Sequence, residues 1–420
     1  MKRNQSFLFY CGILIYFLMI YRSSWFPGGG VIMSFDIYII DLILYSVILF
    51  FFSFDKIYNY QFRLNINNFF LYLLFLLFLT STLGYNDQEL TSIKNLTRLI
   101  SYIAYICLFF FWFPELFVSN NKYFIKLISI IIYLGFFTSV IGLFLLFTGQ
   151  NPVSQFSDSL ISIITHPNNA SIIFTYTSIT TLFFLLYNHN RLSSFKKKFL
   201  IISIGLQVIA QLYSFTRAGI IATMIGLTLF LLLYYRKKFL IILPVLILTL
   251  PSFLYYFIFS KKGFGSFISR FYLLIPAYHM ITDNDIRMLW GYGVTEAFTK
   301  YKEYKFLFNV TEENINDPHN TYVMLILMFG LLFTILLLIF LLSLLIRGFN
   351  SLLKLQNKKE SLIYTYLISV IIAICIQGIF DSELIMTEYY TFQILLSMTG
   401  LLYLLKKDRS NIKKLTGENS

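Results

Sequence analysis

Apolar runs of about twenty residues recur along almost the whole chain, and each is long enough to cross about 30 Å of hydrocarbon as a helix. With 58% hydrophobic and 13% charged residues, the chain lies far from soluble domains, which carry about 25% charge. Transmembrane β-barrels are excluded, because their strands alternate apolar and polar residues in short segments. The expected fold is all-α: a polytopic helical membrane protein of about twelve spans. These are placed at 6–21, 34–53, 67–84, 99–117, 124–148, 168–188, 199–214, 218–235, 239–259, 320–346, 362–380 and 389–405. The first run follows Met1-Lys2-Arg3 like a signal peptide, but no small-residue cleavage site follows it, and it is read as a retained helix.

Lysine and arginine placement orients these spans. With the N-terminus inside, 22 of the 33 basic residues fall on inner segments, and seven of the other eleven lie in one long outer loop, about 260–318. This asymmetry is the positive-inside pattern. It places both termini in the cytoplasm. It also accounts for the net charge of +13 through contacts with membrane lipid headgroups, with no nucleic-acid partner. The chain reads as one polytopic domain over 1–420, with a basic tail over 406–420 expected to be disordered. Cys11, Cys107 and Cys375 are spread among apolar runs without paired or metal-ligand spacing, so neither a disulfide framework nor a metal site is expected.

The long loop between the ninth and tenth spans exceeds any simple connection, and such loops are usually functional. Phe267 to Ile275 reads as a helix at the membrane surface that Pro276 bends or restarts. Trp290-Gly291-Tyr292-Gly293 reads as a turn.

Of the four histidines, His189 falls inside, and His166, His279 and His319 outside. His319, in Asp317-Pro318-His319-Asn320-Thr321, stands at the mouth of the tenth span. It reads either as part of a helix start or as a general base near neutral pH. Arg217 lies in Ser214-Phe215-Thr216-Arg217, between two apolar spans, where a charge is expensive. It either snorkels or neutralises an anion, while Ser214 and Thr216 stabilise the break or meet the same ligand. Arg98, Arg270 and Arg287 are further outer cations, and together they suit a diphosphate, which guanidinium binds bidentately. His166-Pro167-Asn168-Asn169 opens the sixth span, with asparagine as a natural cap.

Three stretches in this order resemble the bacterial O-antigen polymerase/O-antigen ligase superfamily (Wzy- and WaaL-like membrane glycosyltransferases). They are His166-Pro167-Asn168-Asn169-Ala170, Ser214-Phe215-Thr216-Arg217-Ala218-Gly219, and Pro318-His319-Asn320-Thr321-Tyr322 running to Phe329-Gly330. Arg270, followed about twenty residues later by Gly291-Tyr292-Gly293, fits the loop pattern better than Arg287. The resemblance spans roughly 160–335, and Thr216 stands where the family commonly has serine.

The resemblance implies glycosyl transfer from an undecaprenyl-diphosphate-linked glycan to an acceptor hydroxyl, inverting and metal-independent, with no cofactor. It assigns catalysis to His319 and Arg217, and substrate contacts to Arg270, Arg98, Arg287, Asn168, Ser214, Thr216 and Asn320. It also implies flippase and chain-length regulator proteins as partners. The Phe-, Ile-, Lys-, Asn- and Tyr-rich composition points to an AT-rich bacterial source, which favours a capsule or surface polysaccharide polymerase over an O-antigen ligase. The competing class, a polysaccharide flippase or other transporter, usually carries ionisable residues at mid-membrane. Here Asp36 and Asp41 are the only carboxylates well inside a span. A membrane scaffold without activity leaves the clustered motifs unused. Alkaline phosphatase fused after Asp283 should be active, and fused after Ser193 or Asn357 inactive; the reverse pattern would invert the topology.

Overall fold

The computed structural model describes Tyr10 and residues 102, 103, 105–150, 160, 167–236, 265–294, 296–308, 317–381, 390–407 and 410–416. Among these, every regular element is a helix. They are α1 (Ile106–Ser119), α2 (Asn121–Phe147), α3 (Pro167–Tyr187), α4 (Ser194–Tyr213), α5 (Arg217–Tyr235), α6 (Gly265–Thr282), α7 (Asp285–Trp290), α8 (Glu296–Leu307), α9 (Thr321–Lys354), α10 (Lys358–Gln377), α11 (Tyr390–Lys407) and α12 (Ser410–Thr416). α1 is π-helical over Ile106–Trp112. The expected spans from the fourth to the eighth and from the tenth to the twelfth each coincide with a helix. The first three and the ninth, with Cys11, Asp36, Asp41, Arg98 and His166, lie outside the described residues.

Five of the described helices are long and apolar enough to cross a membrane: α2, α3, α5, α9 and α10. α3 and α10 form the centre. Their apolar windows are 72% and 78% buried inside the protein, against 39–44% for the other three. α3 nevertheless carries Ser171, Thr175, Thr177, Ser178, Thr180 and Thr181, all buried. Between membrane helices, small hydroxyl residues allow close approach and bond across the interface. Thr175 Oγ1 lies 2.7 Å from Thr223 Oγ1 on α5, and Thr180 Oγ1 3.1 Å from Tyr366 Oη on α10. Gly219 brings α5 still closer, since a Cβ there would sit 1.5 Å from Ser171 Oγ.

The long loop folds back onto α9. Pro276 does not restart the surface helix: α6 runs continuously from Gly265 to Thr282. Tyr301 Oη of α8 donates to Leu273 O at 2.7 Å, within the turn that the proline loosens. The polar stretch Asp283-Asn284-Asp285 is a helix cap, with Asn284 Oδ1 accepting from Arg287 N at 3.0 Å.

Gly291-Tyr292-Gly293 is not a turn. It is a strap laid against a break in α9, where Gly330 takes φ +83°. Such a break removes helical donors from the carbonyls of the preceding turn. Tyr292 N donates to Leu327 O at 2.7 Å, and Gly293 N to Met328 O at 3.0 Å. Neither crossing glycine has room for a side chain: a Cβ on Gly330 would meet Leu289 O at 2.1 Å, and one on Gly291 would meet Met328 O at 2.5 Å.

The C-terminal tail also departs from expectation. Ser410–Thr416 is helical, with Ile412 and Leu415 buried. Asn411 Nδ2 donates to Leu404 O at 3.1 Å. Two apolar residues three apart share one helix face, and burying them outweighs the pull of Lys413 and Lys414 toward solvent.

Gly330→Ala should destabilise the purified protein by more than about 1–2 kcal/mol, because it combines a positive φ with a backbone clash. Gly205→Ala, in open space on α4, should lose nothing. Thermal unfolding in detergent compares the two, and equal melting points would refute the strap.

Candidate active site

Three breaks in the helical bundle meet at one end, and each mounts a residue expected from the sequence. The first joins α4 to α5. Phe215 adopts φ +51°, a left-handed conformation uncommon outside glycine. The hydroxyls on either side hold it: Ser214 Oγ donates to Gln211 O at 2.7 Å and lies 2.9 Å from Thr216 Oγ1. Gln211 Nε2 donates to Ser171 Oγ of α3 at 2.8 Å, and lies 3.5 Å from Thr216 Oγ1. Ser214 and Thr216 are buried, so of their two expected roles the geometry supplies the stabilisation of the break. Arg217, half-buried, is the first residue of the helix that follows. Asn168 lies one turn before Ser171, at the same end of α3.

The second break opens α9. Asn320 caps the helix, its Oδ1 accepting from Tyr322 N at 2.9 Å and Val323 N at 3.0 Å. His319, just before it, takes φ +46°. Its backbone N–H donates to Asp317 Oδ1 at 2.7 Å. Its imidazole remains partly accessible, at 21% of the side chain.

The third break, Gly378 to Asp381 after α10, escaped the sequence reading, which ended a span at 380. It is where the other parts are fastened. Thr321 N donates to Gly378 O at 2.8 Å, Asn320 Nδ2 to Ile379 O at 2.8 Å, and Arg270 Nη1 to Phe380 O at 2.7 Å. Thr321 Oγ1 also donates to Asp381 O. Arg270 and the residue beside His319 therefore hold adjacent carbonyls of one turn. The visible signal was an aspartate directly after an apolar run, which alone says only that the run has ended.

Arg270 also acts electrostatically on Arg217. Two guanidinium groups close enough to interact repel each other, and an anion bound by both relieves that repulsion. Arg287 sits differently. Its Nη1 is 3.9 Å from Glu296 Oε2, and its guanidinium lies 5.3 Å from the centre of the Tyr292 ring. Burial pushes the Tyr292 phenol up to about 12, so it stays protonated and donates to Met280 O at 2.7 Å. Of the two loop arginines, Arg270 is the one brought to Arg217, while Arg287 braces the strap. His279 stacks on Phe308 with centroids 4.3 Å apart, and His189 follows the far end of α3. Among the described residues, no cluster of three or more metal-ligating side chains occurs.

Residues 199–338 match the family described as O-antigen ligase. The match takes in Arg217, Arg270, Arg287, the Gly291–Gly293 strap, His319 and Asn320; Asn168 and the Gly378–Asp381 turn lie outside it. No curated protein matches the chain.

Thr216→Val removes one member of the buried hydroxyl network while keeping its shape, and should cost about 1–3 kcal/mol of stability. Thr216→Ser should cost less. Unfolding of both purified variants checks this, and a Val variant as stable as the Ser variant would remove the network's role.

Proposed function

From the match of residues 199–338 to the O-antigen ligase family, we propose that the protein is a polymerase of capsular or surface polysaccharide. It joins lipid-linked repeat units on the outer face of the cytoplasmic membrane. The observation that carries this reading is the pair Arg217 and Arg270, electrostatically coupled, with Arg270 and Asn320 bonded to neighbouring carbonyls beside His319.

Two forks of this kind suit a diphosphate, whose oxygens accept bidentate guanidinium bonds. The donor is an undecaprenyl-diphosphate-linked glycan, held with its diphosphate between Arg217 and Arg270. An acceptor hydroxyl of another lipid-linked unit attacks the anomeric carbon from the face opposite the diphosphate. A new C–O bond forms, the C–O bond to the diphosphate breaks, and the electron pair leaves with the diphosphate. The hydroxyl proton passes to His319. Attack opposite the leaving group inverts the anomeric centre. Charge grows on the leaving oxygen in the transition state, where fixed guanidinium groups in a dry site stabilise it most. Because the donor already carries a good leaving group, neither nucleotide-sugar nor metal is required. Asn168 and Arg98 complete the substrate-binding set, and the flippase and chain-length regulator are partner proteins.

Transfer of a finished glycan to lipid or protein, as an O-antigen ligase performs it, is the second reading, and it is equally compatible with the family match. The same arginines and histidine would serve; only the acceptor differs.

In a deletion strain complemented with variants, Arg217→Ala, Arg270→Ala and His319→Ala should each abolish long polymer, with single repeat units accumulating outside. Arg270→Lys should recover little, since an ammonium lacks the fork. Arg287→Ala should retain chemistry and lose stability. Single units trapped inside would indicate a flippase. Long polymer left unattached to its final acceptor would indicate a ligase. Normal polymer from a membrane-inserted His319→Ala protein would end the proposed role of that residue.

A further inference from the structure

One carboxylate beside His319 has no part in the reaction just described. Asp317 Oδ1 accepts the backbone N–H of His319 at 2.7 Å, and the same oxygen lies 3.4 Å from His319 Nδ1. Nδ1 is sealed from solvent and lies off the line of a hydrogen bond, while a fifth of the imidazole side chain remains open. Pro318, buried between the two residues, keeps Asp317 out of the helical region and so fixes where its carboxylate stands. The left-handed backbone of His319, at φ +46°, then swings the ring back over that carboxylate.

We infer that Asp317 is the positioning residue of His319: it selects the tautomer with the proton on Nδ1 and turns Nε2 toward the substrate. The inference rests on the transfer reaction proposed above. A carboxylate next to one ring nitrogen places the proton there and leaves the other nitrogen as acceptor. It also stabilises the imidazolium formed when Nε2 takes a proton, as in hydrolase triads. The contact is long, and such contacts commonly tighten once substrate is bound. On that side of the ring, Arg270 is bonded to Phe380 O. Asp381 follows Phe380 in the same turn, and its backbone carbonyl accepts from Thr321. On α9 itself, Tyr322 Oη is engaged with Cys375 O at 2.7 Å. Asp317 is the carboxylate in contact with the ring among the described residues.

A purely structural role predicts something different. The bond from His319 N to Asp317 Oδ1 is a local turn of the kind that asparagine makes equally well. Asp317→Asn therefore keeps the turn and removes only the charge, which separates the two roles. The protein, labelled with ¹³C,¹⁵N-histidine in nanodiscs, contains four histidines, and the His319 signal is assigned by its loss in His319→Gln. In the native protein the neutral ring should show the Nδ1–H tautomer. In Asp317→Asn the tautomer balance should move toward Nε2–H, and Asp317→Glu should restore it in part. Repeat-unit transfer should fall by about tenfold or more in Asp317→Asn and recover in part in Asp317→Glu. A His319 tautomer unchanged by Asp317→Asn would overturn the inference, whatever the polymer yield. Failure of the transfer reading is distinguishable, because it would appear as normal polymer from His319→Ala while the tautomer change persisted.

Discussion

Backbone groups away from water must find partners within the protein, and in this molecule that demand governs every place where a helix breaks. At Gly330 the freed carbonyls of Leu327 and Met328 take donors from the Gly291–Gly293 strap. At Ser214 to Thr216 the side-chain hydroxyls and Gln211 supply the bonds. At Gly378 to Asp381 four successive carbonyls receive Thr321, Asn320, Arg270 and Thr321 again. The breaks are tolerated because each is closed by specific partners, distant in the chain at Gly330 and at Gly378 to Asp381 and local at Ser214 to Thr216. The same partners carry the candidate site.

This arrangement explains how a long loop holds an arginine against a membrane helix. α7 packs on α9 through the strap, and Tyr292 and Tyr301 tie the strap and α8 back to α6. Arg270 is thus carried on a helix braced at two points and bonded at its tip to Phe380 O. In the proposed transfer, preorganisation of this kind spares the work of bringing two repelling guanidinium groups together. That repulsion is met in folding, and the proposed diphosphate relieves it.

The expensive conformations also fall where chemistry is expected. Of the three non-glycine residues with positive φ among those described, Phe215 precedes Thr216 and Arg217, and His319 is itself a candidate base. Both are held by neighbouring polar groups, Ser214 in one case and Asp317 in the other. Strain of this sort persists only where its surroundings over-determine it.

Much of this was legible in the residues alone. Helix type, and the overlap of eight expected spans with described helices, follow from apolar run length, because burying a backbone in lipid leaves few alternatives to a helix. Arg217 and His319 stood out as polar groups at the ends of such runs, and a resemblance in motif order supplied Arg270. Other features depended on tertiary contacts. Gly291-Tyr292-Gly293 looks like a turn until the broken helix it serves is in place. Spacing to Gly291-Tyr292-Gly293 favoured Arg270 over Arg287, but the different partners of the two, Phe380 for one and Glu296 and Tyr292 for the other, come only with the fold. The Gly378–Asp381 turn offers main-chain carbonyls, which carry no residue identity and so leave no mark in a sequence. Periodicity and charge determine which segments enter the membrane; which distant donors close their breaks is decided by packing, and that choice brings Arg217, Arg270 and His319 to one end of the bundle.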